Sequence, residues 1–195
     1  MFKKVIALIL IVMSLFALTI PASLAETRKY ASPVTMYVDT ANGGPLNVRS
    51  APDSSKNNVI GQYKYGDAVT VTGTAGSGWY MIRYSKVNNS TGYVMAKFLT
   101  ANKISDEAIA KKEIERQLNN YKAVEHFTVV ARPTNPETGW VNFRNNPGTS
   151  AGRIAALKNG QKLTVIGETL DWYKAIDSVT GLTGYVMKAY VAKAK

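Results

Sequence analysis

For catalysis the 195-residue chain offers one histidine, no cysteine and 13 carboxylate residues. The missing cysteine removes thiolate nucleophiles, disulfides and thiolate metal sites together. His126 is alone of its kind, so no histidine-rich zinc motif can be assembled. Glu125 precedes it in the chain, but adjacency in sequence does not place a carboxylate at hydrogen-bond distance from an imidazole. No glycine-rich phosphate loop is present, and nothing in the spacing selects one pair of acids over another. These residues point away from an enzyme, and they call for no cofactor and no metal.

Recognition chemistry is better represented. Trp79 and Trp172 stand at matched places in two similar segments, as do Asn47 and Asn142, and Arg49 and Arg144. An exposed indole can stack on a sugar ring or a peptide plane, or it can cover the edge of a fold as packing. An asparagine amide can read a peptide backbone or hold a turn. A guanidinium can hold a carboxylate or phosphate, or pin a loop carbonyl. The residues alone leave each pair of alternatives open.

The matched places belong to an internal repeat, and the repeat organises the chain. Leu46-Asn47-Val48-Arg49-Ser50-Ala51-Pro52 recurs as Val141-Asn142-Phe143-Arg144-Asn145-Asn146-Pro147, 95 residues later. Gly66 and Val69-Thr70-Val71 recur as Gly160 and Leu163-Thr164-Val165. Trp79-Tyr80 recurs as Trp172-Tyr173, and Gly92-Tyr93-Val94-Met95 as Gly184-Tyr185-Val186-Met187. The offset falls from 95 to 92 in single steps, each in a segment rich in turn residues, where changes of length cost little. The boundaries that follow are 35–100 and 127–193 for two modules, with 101–126 between them.

Each repeated block alternates apolar and polar residues with a period of two, as a half-buried strand does. Gly43-Gly44-Pro45, Gly76-Ser77-Gly78 and Asn88-Asn89 supply the breaks. About five short strands in some 65 residues imply a small closed barrel. In the Trp strands, Tyr80 and Ile82 face one way, and Trp79, Met81 and Arg83 the other. Tyr173 and Ala175 match the first set, and Trp172, Lys174 and Ile176 the second. Arg83 and Lys174 mark the second face as the wetter one, so both tryptophans are expected to be partly exposed. Between the modules, Ser105 can cap a helix over Asp106–Leu118, with Asp106 and Glu107 in its first turn. Ala110, Ile114, Leu118 and Tyr121 form its apolar stripe, which can pack on a barrel or meet a partner. The fold expected is therefore all-β: two small barrels joined by a short helical linker.

Residues 1–25 read as a secretory signal peptide. Lys3 and Lys4 are followed by a 16-residue apolar run from Val5 to Ile20, then Pro21, with Ser23 and Ala25 before the cleavage point. A spanning helix needs about 20 apolar residues, so no stable membrane span is expected after cleavage. Losing Lys3 and Lys4 lowers the formal charge from +11 to +9. A basic secreted protein is drawn to polyanions, which at a cell envelope are wall polymers or lipid head groups. A nucleic-acid partner is not expected outside a cell.

The blocks Leu-Asn-Val-Arg-Ser-Ala-Pro, Gly-Asp-Ala-Val-Thr-Val, Gly-Trp-Tyr and Thr-Gly-Tyr-Val resemble the bacterial SH3-like (SH3b) domain. The resemblance spans Met36–Leu99 and, with Phe143 for Val48 and an extended Asn135–Trp140 loop, Val129–Val191. It implies two strongly bent SH3-like barrels in an exported, cell-wall-associated protein. It also implies a ligand, namely peptidoglycan (peptide or glycan) or another cell-wall polymer. An envelope protein bound by the barrels is the alternative partner. Asp171-Trp172-Tyr173-Lys174-Ala175 and the segment from Gly184 to Ala192 also resemble strands of eukaryotic SH3 domains, where the first Trp and a late Tyr line a peptide groove. Carried over, the groove candidates are Trp172 and Tyr190, and in the first module Trp79 and Phe98. Met95 and Met187 occupy the place of the groove proline of that family.

Overall fold

The computed structural model describes residues 27–194 except Lys56, Ser77, Lys86 and Asn89. The expected signal peptide lies outside the described residues. The first copy contains β1 (Thr27–Val38), β2 (Leu46–Arg49), β3 (Val59–Tyr63), β4 (Ala68–Ala75), β5 (Trp79–Tyr84), β6 (Ser90–Met95) and β7 (Leu99–Thr100). The second contains β8 (Lys122–Ala131), β9 (Val141–Arg144), β10 (Arg153–Leu157), β11 (Lys162–Glu168), β12 (Trp172–Asp177), β13 (Thr183–Met187) and β14 (Val191–Lys193). The strand orders, β3-β2-β6-β5-β4-β1-β7 and β10-β9-β13-β12-β11-β8-β14, are the same order written twice. A 3-10 turn precedes the last strand of each copy, at Ala96–Phe98 and Lys188–Tyr190.

The alternation seen in the repeated blocks is the burial pattern of the strands. In β4 every second residue from Val69 is buried, and in β11 every second residue from Leu163. These side chains and those of β2, β5 and β6 fill the first core, which includes Val38, Leu46, Val48, Ile82 and Val94. Its counterpart includes Ala131, Val141, Phe143, Ala175 and Val186. The two cores conserve volume by exchange. Phe143 replaces Val48, while Ala175 replaces Ile82 and Ala131 replaces Val38, all of them at most 1% exposed. Close packing demands such exchange, because an interior tolerates neither voids nor surplus methylenes.

Two features bend the sheets. Gly66 and Gly160 hold φ of 84° and 78°, the left-handed turn that brings the chain into β4 and β11. Further on, the β4–β5 ladder shifts register between Val71 and Gly73, and the β11–β12 ladder between Val165 and Gly167. A Cβ on Gly73 would lie 2.2 Å from the Arg28 carbonyl oxygen, so the bulge requires glycine there.

Helix α1 (Asp106–Leu118) joins the copies, capped by Ser105 Oγ, which accepts from the Ala108 N–H at 3.2 Å. It touches both copies. A Cβ built on Gly66 would meet Ile109, one on Gly43 would meet Lys112, and one on Gly148 would meet Ile114. The expected stripe is corrected in part: Leu118 and Tyr121 are each 40% exposed, and the residue of α1 that is fully buried is Gln117. Gln117 faces the Thr169 hydroxyl, the Asp171 carboxylate and the Asp171 N–H, polar groups that an amide satisfies and a leucine cannot. Among the described residues no helix is long and apolar enough to cross a membrane.

Candidate ligand-binding surfaces

In the first copy, Asn47 and Phe98 come together. Asn47 lies on β2, and Phe98 lies in the 3-10 turn that β6 leads into. Both line one cleft of about 560 Å³, with Pro45, Arg49 and Met95 among its other walls. Phe98 packs its inner side on the core, and the Lys97 ammonium sits 4.9 Å from its ring centroid. Asn47 Oδ1 accepts from Gln62 Nε2 at 2.8 Å across the β2–β3 ladder. Arg49 Nη1 donates to Asn58 Oδ1 at 2.8 Å, and Asn58 Nδ2 donates to the carbonyls of Ala51 and Asp53. The guanidinium therefore braces the 51–58 loop while forming part of the cleft wall. Trp79 is half-buried and pairs across the ladder with Met95. It flanks the cleft through that methionine and is not itself part of the wall.

The second copy does not reproduce this arrangement. Arg144 repeats the bracing role, donating from Nη1 to the Ala151 carbonyl. Tyr190, in the place of Phe98, is 42% exposed. Asn142 Oδ1 accepts a long contact of 3.5 Å from Arg153 Nη1. Trp172 departs most from expectation, being 3% exposed where partial exposure was predicted. Strand alternation assigned it correctly to the outer face, but α1 covers that face. Trp172 and its ladder partner Met187 line a cleft of about 810 Å³ together with Ile109, Glu113 and Arg116 of α1 and Tyr65 of the first copy.

A polar cluster holds α1 in that place. Gln117 Nε2 donates to Asp171 Oδ2 at 2.6 Å and to Glu113 Oε1 at 3.0 Å. Its Oε1 accepts from Thr169 Oγ1 at 2.7 Å and from the Asp171 N–H at 3.1 Å. Both donors and both lone pairs of the amide are used, as burial of such a group requires. Arg116 adds ion pairs to Glu113 at 3.1 Å and Asp171 at 3.6 Å. Thr169 Oγ1 in turn accepts from the Trp172 N–H at 3.2 Å, so the helix fixes the turn that presents the indole.

One buried ionisable group is peculiar to the second copy. Asp177 is 0% exposed and occupies the position of Tyr84. Burial alone would raise its pKa. Hydrogen bonds from Thr180, Gln161 and the Val179 and Thr180 backbone outweigh that and hold it below the ordinary aspartate value.

Sequence reading passed over Trp140, which is 57% exposed and has the Arg153 guanidinium carbon 5.9 Å from its ring centroid. It stands where the first copy has Pro45, so comparison of the repeats does not mark it. An aromatic residue in a segment otherwise made of turn formers is the signal that would have found it.

A search of curated proteins finds no match. Among solved structures, similarity is found to NlpC2 from Trichomonas vaginalis, at 11% identity and TM-score 0.29, covering 85% of this chain and 49% of that one. NlpC1 from the same organism matches at 10% identity and TM-score 0.29, covering 88% and 49%. Ly7917 matches at 14% identity and TM-score 0.28, covering 80% and 60%. The chain thus spans about half the length of the first two and less than two thirds of the third. The family model for the bacterial SH3 domain matches residues 44–100 and again 139–192, more than half of the sequence and one match per sheet. The chain belongs to the bacterial SH3 domain family and carries two tandem copies of its domain.

Proposed function

We propose that this is an exported, non-catalytic binding protein that recognises cell-wall peptidoglycan through its tandem domains. Its parts are a cleaved leader over residues 1–25, modules over 35–100 and 127–193, and a helical linker over 101–126. Domains of this family are typically binding modules and are often found in cell-wall proteins. The observation that carries the reading is the open cleft of the first copy, where Asn47, Phe98, Arg49 and Met95 converge on one apolar and hydrogen-bonding surface. Such a cleft suits a peptide or a short glycan, which needs a few placed polar groups on an apolar wall. The positive charge favours an anionic wall.

Co-sedimentation with purified sacculi, before and after removal of anionic polymers and at low and high salt, tests this. Binding to stripped sacculi that survives high salt, and falls at least tenfold in a Phe98→Ala, Asn47→Ala double variant, is the expected outcome. Binding that vanishes with the anionic polymers would reduce the attraction to charge. A second reading has one observation in its favour. Leu118 and Tyr121 leave apolar surface exposed at the end of α1, which suits an envelope protein partner. That reading predicts saturable binding to one extracted envelope protein, lost in Leu118→Asp, and none to sacculi.

A further inference from the structure

Trp140 is the most exposed of the three tryptophans, at 57%, whereas Trp79 is half-buried and Trp172 is 3% exposed. It ends the segment between β8 and β9, which runs over 132–140, two residues longer than 39–45 in the first copy. The longer loop sets the indole beside two polar groups. Arg153, at the start of β10, lies with its guanidinium carbon 5.9 Å from the ring centroid. Its Nη1 reaches Asn142 Oδ1 at 3.5 Å. Among the described residues no carboxylate pairs with Arg153. The Asn142 amide N–H groups likewise have no protein acceptor among them. An aromatic face, an uncompensated guanidinium and a free amide donor thus meet on one surface of the second copy. A binding site for one class of ligand needs all three. The indole stacks against the apolar face of a sugar ring, the guanidinium takes a carboxylate in its fork of donors, and the amide donates to a ring substituent.

We propose that Trp140, Arg153 and Asn142 form a binding site for a sugar ring that carries a carboxylate. The inference rests on the wall-binding reading and sharpens it. The second copy takes glycan whose lactyl carboxylate is not tied up in a stem-peptide amide, through Trp140 and Arg153, which lie outside the matched blocks, and Asn142, which lies in one, while the cleft of the first copy is a separate surface. None of the three residues lines the cleft between α1 and Trp172.

The test measures binding of the purified protein to peptide-free wall glycan strands, whose alternate sugars bear a lactyl carboxylate. Chitin oligosaccharides, which lack the carboxylate, and free wall peptides are run beside them. Tighter binding to the glycan than to chitin is expected. Trp140→Ala should weaken glycan binding at least tenfold, and Trp140→Phe should keep most of it. Arg153→Ala should erase the preference over chitin, and Arg153→Lys should restore it in part. An unchanged affinity in Trp140→Ala, equal binding of glycan and chitin, or binding of free peptide alone would each overturn the site. Intact sacculi run in parallel separate the two claims. Sacculi bound without either glycan being bound overturn the site and leave wall recognition standing, whereas no binding to sacculi overturns the wall reading itself. Unchanged circular dichroism and Trp172 fluorescence in the variants show that the fold is retained.

Discussion

The two copies share one strand order and one left-handed glycine, Gly66 or Gly160, yet the face carrying their matched tryptophans has two fates. In the first copy Trp79 remains half-buried beside an open cleft. In the second, Trp172 lies beneath α1, and the turn before it is tied to Gln117 by hydrogen bonds from Thr169 and Asp171. Duplication therefore preserved the barrel and released its outer surface for other work. One copy leaves the face half-open beside a cleft, and the other uses it to seat the connecting helix. The same freedom operates inside, where Phe143 and Ala175 exchange volume with Val48 and Ile82.

The comparison breaks most severely at the exchanged core positions. Phe143→Ala should destabilise the second copy by about 3–5 kcal/mol, the range for emptying a buried phenylalanine site. Ala175→Ile, which imports the residue of the first copy without room for it, should cost about 1–3 kcal/mol through overpacking. Phe143→Val combined with Ala175→Ile should be less harmful than the sum of the single changes, because the two sites are coupled through one volume. Chemical denaturation of the parent, Phe143→Ala, Phe143→Val, Ala175→Ile and the double variant measures this.

A smaller effect is expected at the helix. Gln117→Ala strands the Thr169 hydroxyl and the Asp171 N–H, at a cost of about 1–3 kcal/mol for buried polar groups left unpaired. Its second signature is optical. Trp172 should become accessible to iodide quenching, while Trp79 and Trp140, already in contact with water, should change little. Quenching identical to that of the parent would mean that the amide does not seat the helix.

The smallest expected difference is in acid. Asp177 has a folded pKa below the ordinary aspartate value, so its ionised form stabilises the fold above that ordinary value, about 3.9. As pH falls from there toward the lowered folded pKa, the unfolded state takes up the proton first and that contribution drains away. Thermal melts from pH 6 to pH 3 should show the second copy losing stability first. Asp177→Asn should flatten its profile over the acid end of that range.

The strands were legible because each is a local pattern. Val69 and Val71, or Leu163 and Val165, announce a buried face within a few residues. The capped helix at Asp106–Leu118 was legible for the same reason, since Ser105 and the acids of the first turn are its neighbours. The candidate site was legible in part: Asn47, marked by the repeat, and Phe98, carried over from the resemblance to eukaryotic SH3 domains, line one cleft. Burial of Trp172 depends on α1, some 55 residues earlier in the chain, docking through Gln117. A polar residue gives no apolar signal, and alternation along a strand does not say what will cover it. Trp140 escaped because the matching position of the first copy is Pro45, so the repeated blocks do not mark it.

Because α1 is lodged against Gly43 and Gly66 on one side and against Gly148 and Thr169 on the other, the connection is a strut and not a tether. A flexible linker lets two weak sites search many spacings, at an entropic cost that grows with its length. A strut offers one spacing at almost no such cost. Under the wall-binding proposal, two surfaces held this way would act as a gauge: a polymer whose repeat matches their separation would be held at both points, and one whose repeat does not match would be held at one.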